Sequence, residues 1–259
     1  MNMKSLSTPV KSAQRVLELL EFFAQWRRPA SVKEISQSLG YPQSSTSVLL
    51  RSLVESGHFD HVVRTGMYVP NIRLTLATAW IEEHLFSEQS LLRLMERVLA
   101  QSGHTVMIGS QQGIHVRYLH VLQATRVGRF MAKTGALRSL FHSAAGRMLL
   151  TTKPEHEIPL LLRQANAQES SSQLKLQLES VLSGRRNALD SGYAMSEGTS
   201  MAGAAALAIL LPVPLGHDPI TLSLGGPIKE IKQSKMKLLK LLNEAVSAFR
   251  QATLYRQPI

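Results

Sequence analysis

The tightest constraint on this chain is the punctuation between residues 27 and 57. Arg27-Arg28-Pro29 ends the amphipathic stretch Val10–Trp26, in which Val16, Leu19, Leu20 and Phe23 recur at helical spacing, because proline cannot continue the hydrogen-bond ladder. Ser31 then stands three residues before Glu34, a capping box that opens a short helix burying Val32, Ile35 and Leu39 and ending at Gly40. After Gly40-Tyr41-Pro42 a third helix starts with Gln43-Ser44-Ser45-Thr46-Ser47, turns Leu49, Leu50 and Leu53 inward, and stops at Gly57. Two strand-like runs, Phe59–Val63 and Met67–Pro70, flank Arg64-Thr65-Gly66 and read as a hairpin.

Helix, short helix, turn, helix and hairpin in this order predict a winged helix-turn-helix. Short hydroxyl and amide side chains approach base edges, and helix N-terminal amides favour phosphate. Gln43, Ser44, Ser45, Ser47 and Arg51 are therefore the expected DNA-reading residues, with Lys33 and the wing residues Arg64 and Thr65 on the DNA backbone. The alternative is a helical hairpin that serves protein contacts alone. Trp26 and Trp80 end helices and are expected to pack rather than stack on bases, and His58 and His61 read as surface residues.

Ile72–Leu85 reads as a connecting helix, giving domains at 1–72 and 87–259 with a linker at 73–86. Helices are expected over Glu88–Gln101, Ser143–Leu150, Pro159–Gln168, Gln173–Asn187 and, as one closing helix, Lys229–Thr253. Strands are expected at Thr105–Gly109, His115–Leu122, Ala204–Leu211 and Ile220–Leu224, with Arg129–Ala132 as a further candidate. Strands and helices intermixed in this way predict an α+β domain with an antiparallel sheet.

The chain has 259 residues, 44% of them hydrophobic, which is ample for a core and too apolar for a disordered chain. It has no cysteine, which excludes disulfides, thiolate metal sites and a cysteine nucleophile. No apolar run is long enough to span a membrane and no secretory signal is visible, so the cytoplasm is the expected compartment. The formal net charge is +11, an invitation to polyanions or acidic ligands. Residues 1–80 hold nine basic and five acidic side chains, so most of the excess sits in the larger domain. There, Arg97–Pro154 contains no Asp or Glu. That run predicts either an electropositive surface or pocket for an anion, or solvated faces paired with acids elsewhere.

In their order and spacing these motifs resemble an IclR-family transcriptional regulator over about Val10–Ala252. In the first domain the likeness rests on Pro42-Gln43-Ser44-Ser45 leading to Leu49-Leu50 and Leu53, then Gly57. In the second it rests on the run from Gly135 through Ser139, His142 and Ser143 to Arg147, and on the run from Ser191 through Met195 and Ser196 to Gly198. Gly203 leading to Pro212-Val213, and Gly225-Gly226-Pro227, complete it. The resemblance implies a winged-helix domain joined by a helix to a GAF-like effector domain, in a repressor or activator that calls for no cofactor. It implies a homodimer or homotetramer on a palindromic double-stranded operator, controlled by a small organic acid or aromatic catabolite. Carried over residue by residue, the ligand lies between the Gly135–Gly146 and Ala194–Gly203 segments, against Gly135, Met195, Ser196 and Thr199. Ser139, His142 and Ser143 would donate to a carboxylate, and Arg129 or Arg147 would supply the charge. Two positions depart from the family pattern. Val48 stands where it often has an arginine, with Arg51 or Ser47 as substitutes. Thr199 stands where it commonly has a glutamate, an exchange that favours an anion. The structural alternative has His142 capping or packing its helix and the arginines facing water.

Enzyme readings find little support. No GxSxG, Walker A or GxGxxG motif is present. Ser139 and Ser143 flank His142, but no acid is near in sequence to orient the ring. His115 and His120 sit five apart on an expected strand, hence on opposite faces, and make poor joint metal ligands. A sensor or hydrolase-like protein on the same scaffold, without specific DNA binding, is the second reading.

Overall fold

Glu34 closes the capping box from both sides. Its amide donates to Ser31 Oγ at 3.3 Å and its carboxylate accepts from the Ser31 amide at 2.8 Å, which fixes the start of α2 (Val32–Leu39). The computed structural model describes residues 10–78, 91–124, 131–199, 201–213 and 217–254. The chain divides into two compact units, Met1–Glu82 and Glu83–Ile259.

In the first unit α1 (Lys11–Trp26) ends where Arg27 turns to φ 54° and donates its amide to the Phe23 carbonyl. Gly40, at φ 70°, ends α2 in the left-handed region open to glycine. α3 (Gln43–Glu55) leads into the hairpin of β1 (Phe59–Val62) and β2 (Met67–Pro70). Leu19, Phe22, Phe23, Ile35, Leu50, Phe59 and Tyr68 form the core of this winged helix. Trp26 packs: its ring stacks on Phe22 at 5.0 Å, and the Arg28 guanidinium covers it at 4.3 Å. Helix α4 occupies 72–78; the rest of the expected linker, with Trp80, lies outside the described residues.

The second unit is a six-stranded antiparallel sheet of order β5-β4-β3-β8-β7-β6. The strands are β3 (Thr105–Gln112), β4 (His115–Leu122), β5 (Leu137–Ser139), β6 (Ala194–Glu197), β7 (Ala204–Leu211) and β8 (Ile220–Pro227). The helices are α5 (Leu91–Ser102), α6 (Ala144–Thr151), α7 (Ile158–Gln168), α8 (Leu178–Ser191), α9 (Ile228–Gln233) and α10 (Lys235–Leu254). Each face of the sheet is covered. Leu207, Ile209 and Leu211 of β7 face the core built with α5, α9 and α10, while Ala204 and Ala208 face α6. Small residues on both partners let α6 approach the sheet closely.

Several expectations are corrected. The closing helix is two, because Ser234 leaves helical geometry at φ −98°, ψ 7° between α9 and α10. Of the strand expected at Arg129–Ala132, Met131 and Ala132 are irregular, while Arg129 and Phe130 lie outside the described residues. The strand beside β4 is instead Leu137–Ser139. The helix expected at Gln173–Asn187 begins only at Leu178, after a single tight turn at Ser172–Leu174. His115 and His120 do not face opposite ways. Ile108 pairs with His120 and Gly109 with Tyr118, so Leu119 is bulged and strand parity reverses after it. Val116 and Tyr118 therefore lie on the face of Val121, and His115 joins His120 and Leu122 on the other.

Candidate functional sites: a DNA-reading helix and two cavities

At about 100° per residue, Ser44, Ser47, Val48 and Arg51 fall on one stripe of α3, opposite the buried Thr46 and Leu50. Ser44, Val48 and Arg51 are exposed, as are Gln43 on the flank, Lys33 on α2, and Arg64 and Thr65 at the hairpin tip. Ser45 turns its hydroxyl back to the Pro42 carbonyl at 3.4 Å, joining Thr46, which bonds the same carbonyl at 3.0 Å. Both brace the first turn of the helix. His61 stacks on Tyr68 at 4.5 Å, and His58 Nδ1 lies 3.0 Å from Ser56 Oγ. The surface that remains is polar and hydroxyl-rich, carries Arg51, and holds one apolar side chain, Val48, 56% exposed.

In the second unit four of the residues carried over by resemblance line two cavities, Ser143 and Ser196 one and Arg147 and Met195 the other, while Gly135, Ser139, His142 and Thr199 line neither. The smaller, about 10 Å³, lies between the start of α6 and the sheet, against Tyr118, Ser143, Ala144, Ala145, Ser196 and Ser223. It has room for about one water. Ser143 caps α6 by accepting from the Gly146 amide at 3.1 Å. That leaves the first amides of the helix, of Ala144 and Ala145, without intrahelical acceptors. Ser223 Oγ is buried there with no partner among the described residues. Burial pushes the Tyr118 hydroxyl above its ordinary pKa, against the pull of Arg138, whose guanidinium lies 5.7 Å over the ring.

Ser139 accepts from the Phe141 and His142 amides at 3.2 and 3.3 Å, and Ser143 Oγ donates to the Ser139 carbonyl at 2.7 Å. Both hydroxyls are thus engaged with backbone groups that build the turn into α6, an arrangement unlike a nucleophile held by the His142 ring. Thr199 Oγ1 donates to the His142 carbonyl at 2.8 Å and ties the loop after β6 to this turn. Gly135, at φ 81°, turns the chain toward β5, its amide on the Tyr118 carbonyl at 2.7 Å.

The larger cavity, about 440 Å³, lies beside β6, the edge strand, and contains Arg147 and Met195. Arg147 donates from Nε to the Phe141 carbonyl at 3.2 Å and from Nη1 to the Met195 carbonyl at 3.0 Å. Burial lowers its pKa from the ordinary guanidinium value. Arg129 lies outside the described residues.

Among the described residues the acid-free run does not gather its cations in one pocket. Arg97 sits on α5, Arg117 donates to Gln112, Arg138 covers Tyr118, and of the run's described cations only Arg147 enters the larger cavity. Sequence reasoning passed over Tyr118, Ser223, Gly184, Arg185 and Lys235, all of which line one cavity or the other. Ser223 had a signal. Thr221 and Ser223 alternate with Ile220, Leu222 and Leu224, which marks a strand whose second face carries hydroxyls. Among the described residues no group of three or more His, Asp or Glu side chains is placed to hold a metal ion. Among them, too, no helix is long and apolar enough to cross a membrane.

A winged helix followed by a separate, sheet-based domain with its own cavities defines a two-domain DNA-binding transcriptional regulator. The comparisons place it within that class. The IclR helix-turn-helix domain matches residues 12–58, and the bacterial transcriptional regulator IclR C-terminal domain matches residues 85–250. The chain belongs to the IclR family. It is 20% identical to the HTH-type transcriptional repressor AllR of Escherichia coli K12 over 87% of this chain and 83% of that one. It is 24% identical to the transcriptional repressor IclR of the same organism over 59% of this chain and 57% of that one. Among solved structures, the effector domain of a putative transcriptional regulator IclR from Acinetobacter sp. ADP1 is 27% identical. It aligns at TM-score 0.60 over 65% of this chain and 98% of that one. An IclR transcriptional regulator from Alicyclobacillus acidocaldarius aligns at TM-score 0.63 over 95% of this chain and 99% of that one, at 18% identity, and supports the fold.

Proposed function

We propose that this regulator binds a palindromic operator as a homodimer or homotetramer through α3 and the wing, and that a small carboxylate held at the start of α6 alters that binding. One observation carries the effector reading: Ser223 Oγ, buried and without a partner among the described residues, shares a cavity with Ser196 and the first residues of α6, Ala144 and Ala145. Hydroxyls and helix N-terminal amides together favour an anion without a cation in contact. The cavity has room for about one water, so any carboxylate enters only if Met201, which borders it and is 38% exposed, gives way.

The test is a gel shift at fixed salt on duplexes selected from a random library, with and without short-chain carboxylates. The expected result is enrichment of a palindrome and a shift in its affinity with at least one acid, a shift lost in Ser223→Val. Equal affinity for all duplexes would sink specific regulation. A carboxylate response retained in Ser223→Val would sink the placement of the effector.

A further inference from the structure

We propose that the cavity beside the free edge of β6 is a second ligand site, for an aromatic carboxylate, separate from the hydroxyl-lined pocket at the start of α6. Its volume, about 440 Å³, falls in the range of sites that enclose small molecules, roughly 300–1,000 Å³. Phe141, Leu150, Leu176 and Val181 give it apolar walls, and Arg147, Arg185 and Lys235 give it charge.

Arg185 is paired with Glu155 at 3.8 Å and donates to the Leu150 and Lys153 carbonyls at 3.1 and 2.9 Å, whereas the other two cations are not neutralised there. Arg147 meets two backbone carbonyls, and among the described residues no carboxylate lies within ion-pair distance of it. Lys235 Nζ lies 4.8 Å from the centre of the Tyr193 ring, an aromatic face rather than an acid. The one acid on the lining, Glu197, is held by Lys232 at 2.7 Å. A carboxylate entering beside these walls would meet a net positive field, and its hydrogen bonds to Arg147 or Lys235 would be charge-assisted.

Gly184 is the independent observation. It lies inside α8, where glycine weakens a helix relative to alanine. Its φ is not positive, and a Cβ built on it meets nothing within 4 Å. Neither backbone geometry nor a close neighbour asks for glycine here. Gly184 is exposed, and what its missing side chain provides is open space where the cavity meets solvent. Cost without a structural return at a cavity wall points to a ligand that fills the space.

This inference does not depend on the operator or on the effector placed at α6. It is tested by calorimetric titration of the full-length protein with benzoate, using the neutral isostere benzamide as control. Benzoate is expected to bind at least about tenfold more tightly than benzamide, because only it meets the cationic field. Gly184→Leu should weaken benzoate about tenfold or more while the protein melts no lower than wild type. Should that variant melt lower, Ser180→Leu, one turn away on the same wall, takes its place as the filling substitution. Lys235→Gln should weaken benzoate severalfold, and Ser223→Val should leave it unchanged. The proposal is overturned if benzoate fails to bind at millimolar concentration, if benzamide binds equally well, or if the filling variants bind benzoate as wild type does. Loss of benzoate binding in Ser223→Val would also overturn it, by moving the ligand to the hydroxyl-lined pocket.

Discussion

Arg147 Nη1 donates a 3.0 Å hydrogen bond to the Met195 carbonyl, tying α6 to the edge strand β6. The same guanidinium holds the Phe141 carbonyl through Nε, so one side chain fixes the turn before α6 and the outer edge of the sheet. Arg147→Met should cost about 1–3 kcal/mol, since hydrogen bonds from a charged donor are lost while release of a partly buried charge offsets some of the penalty. Arg147→Lys should not restore it, because an ammonium lacks the planar fork that reaches both carbonyls. Equilibrium urea unfolding checks both variants, and wild-type midpoints would remove this tie from the account.

Two glycines on neighbouring helices should respond oppositely to alanine. A Cβ at Gly146 would clash with the Leu140 carbonyl oxygen, a backbone atom of a fully buried residue whose amide is bonded to the Ile114 carbonyl. Gly146→Ala should therefore cost about 3 kcal/mol and move the start of α6 away from the sheet. Gly184→Ala should stabilise by about 0.5–1 kcal/mol, since alanine is the better helix former and the space is open. Thermal melts of the two variants should move in opposite directions; equal shifts would contradict the local geometry.

The winged helix was legible because its signals are local. Ser31 and Glu34 close a ring three residues wide, and Gly40 and Pro42 set backbone angles at their own positions. The second unit was less legible where distant residues decide. The bulge at Leu119 leaves no mark in the sequence, yet it brings His115 and His120 to one face. The break at Ser234 carries neither glycine nor proline, so the closing lysine-rich stretch read as one helix. The edge strand β6 was visible only as a motif, since its pairing with β7 is set by tertiary register. The expected ligand set joined Ser143, the cap of α6, and Arg147, one turn into it. Their side chains part, Ser143 to the helix start and Arg147 across to β6.

The capping box predicts an acid-sensitive first unit. The Ser31 amide, the Arg28 guanidinium and the Ser31 hydroxyl hold the Glu34 carboxyl at about 2, against an ordinary value of 4.5. A carboxylate whose pKa falls on folding stabilises the fold above its unfolded value and loses that contribution as pH drops toward its folded one. Stability from Glu34 should be full above about pH 4.5 and fade between there and about pH 2. Glu34→Gln should flatten that part of the profile. Ser31→Ala, which removes the cap itself, should cost about 1 kcal/mol at neutral pH. Denaturant midpoints followed against pH test both, and an acid limb unchanged in Glu34→Gln would refute the assignment.

Arg51 and Val48 share the outer stripe of α3 and should fail in different ways. Arg51 has no acidic partner among the described ion pairs, and it is exposed where the backbone of a duplex would pass. Arg51→Ala should weaken binding to all duplexes alike and reduce the salt slope by about one phosphate contact. Val48 exposes an apolar side chain among hydroxyls, the kind of surface that meets the thymine methyl group in the major groove. Val48→Ala should leave the salt slope unchanged and flatten preference at one or more thymines of a selected duplex, by about 1 kcal/mol or more each. Replacing those thymines with deoxyuridine, which removes only the methyl, should reproduce the loss in wild type and add nothing in Val48→Ala. A wild-type protein that binds the thymine and uracil duplexes equally would leave Val48 without a role in reading sequence.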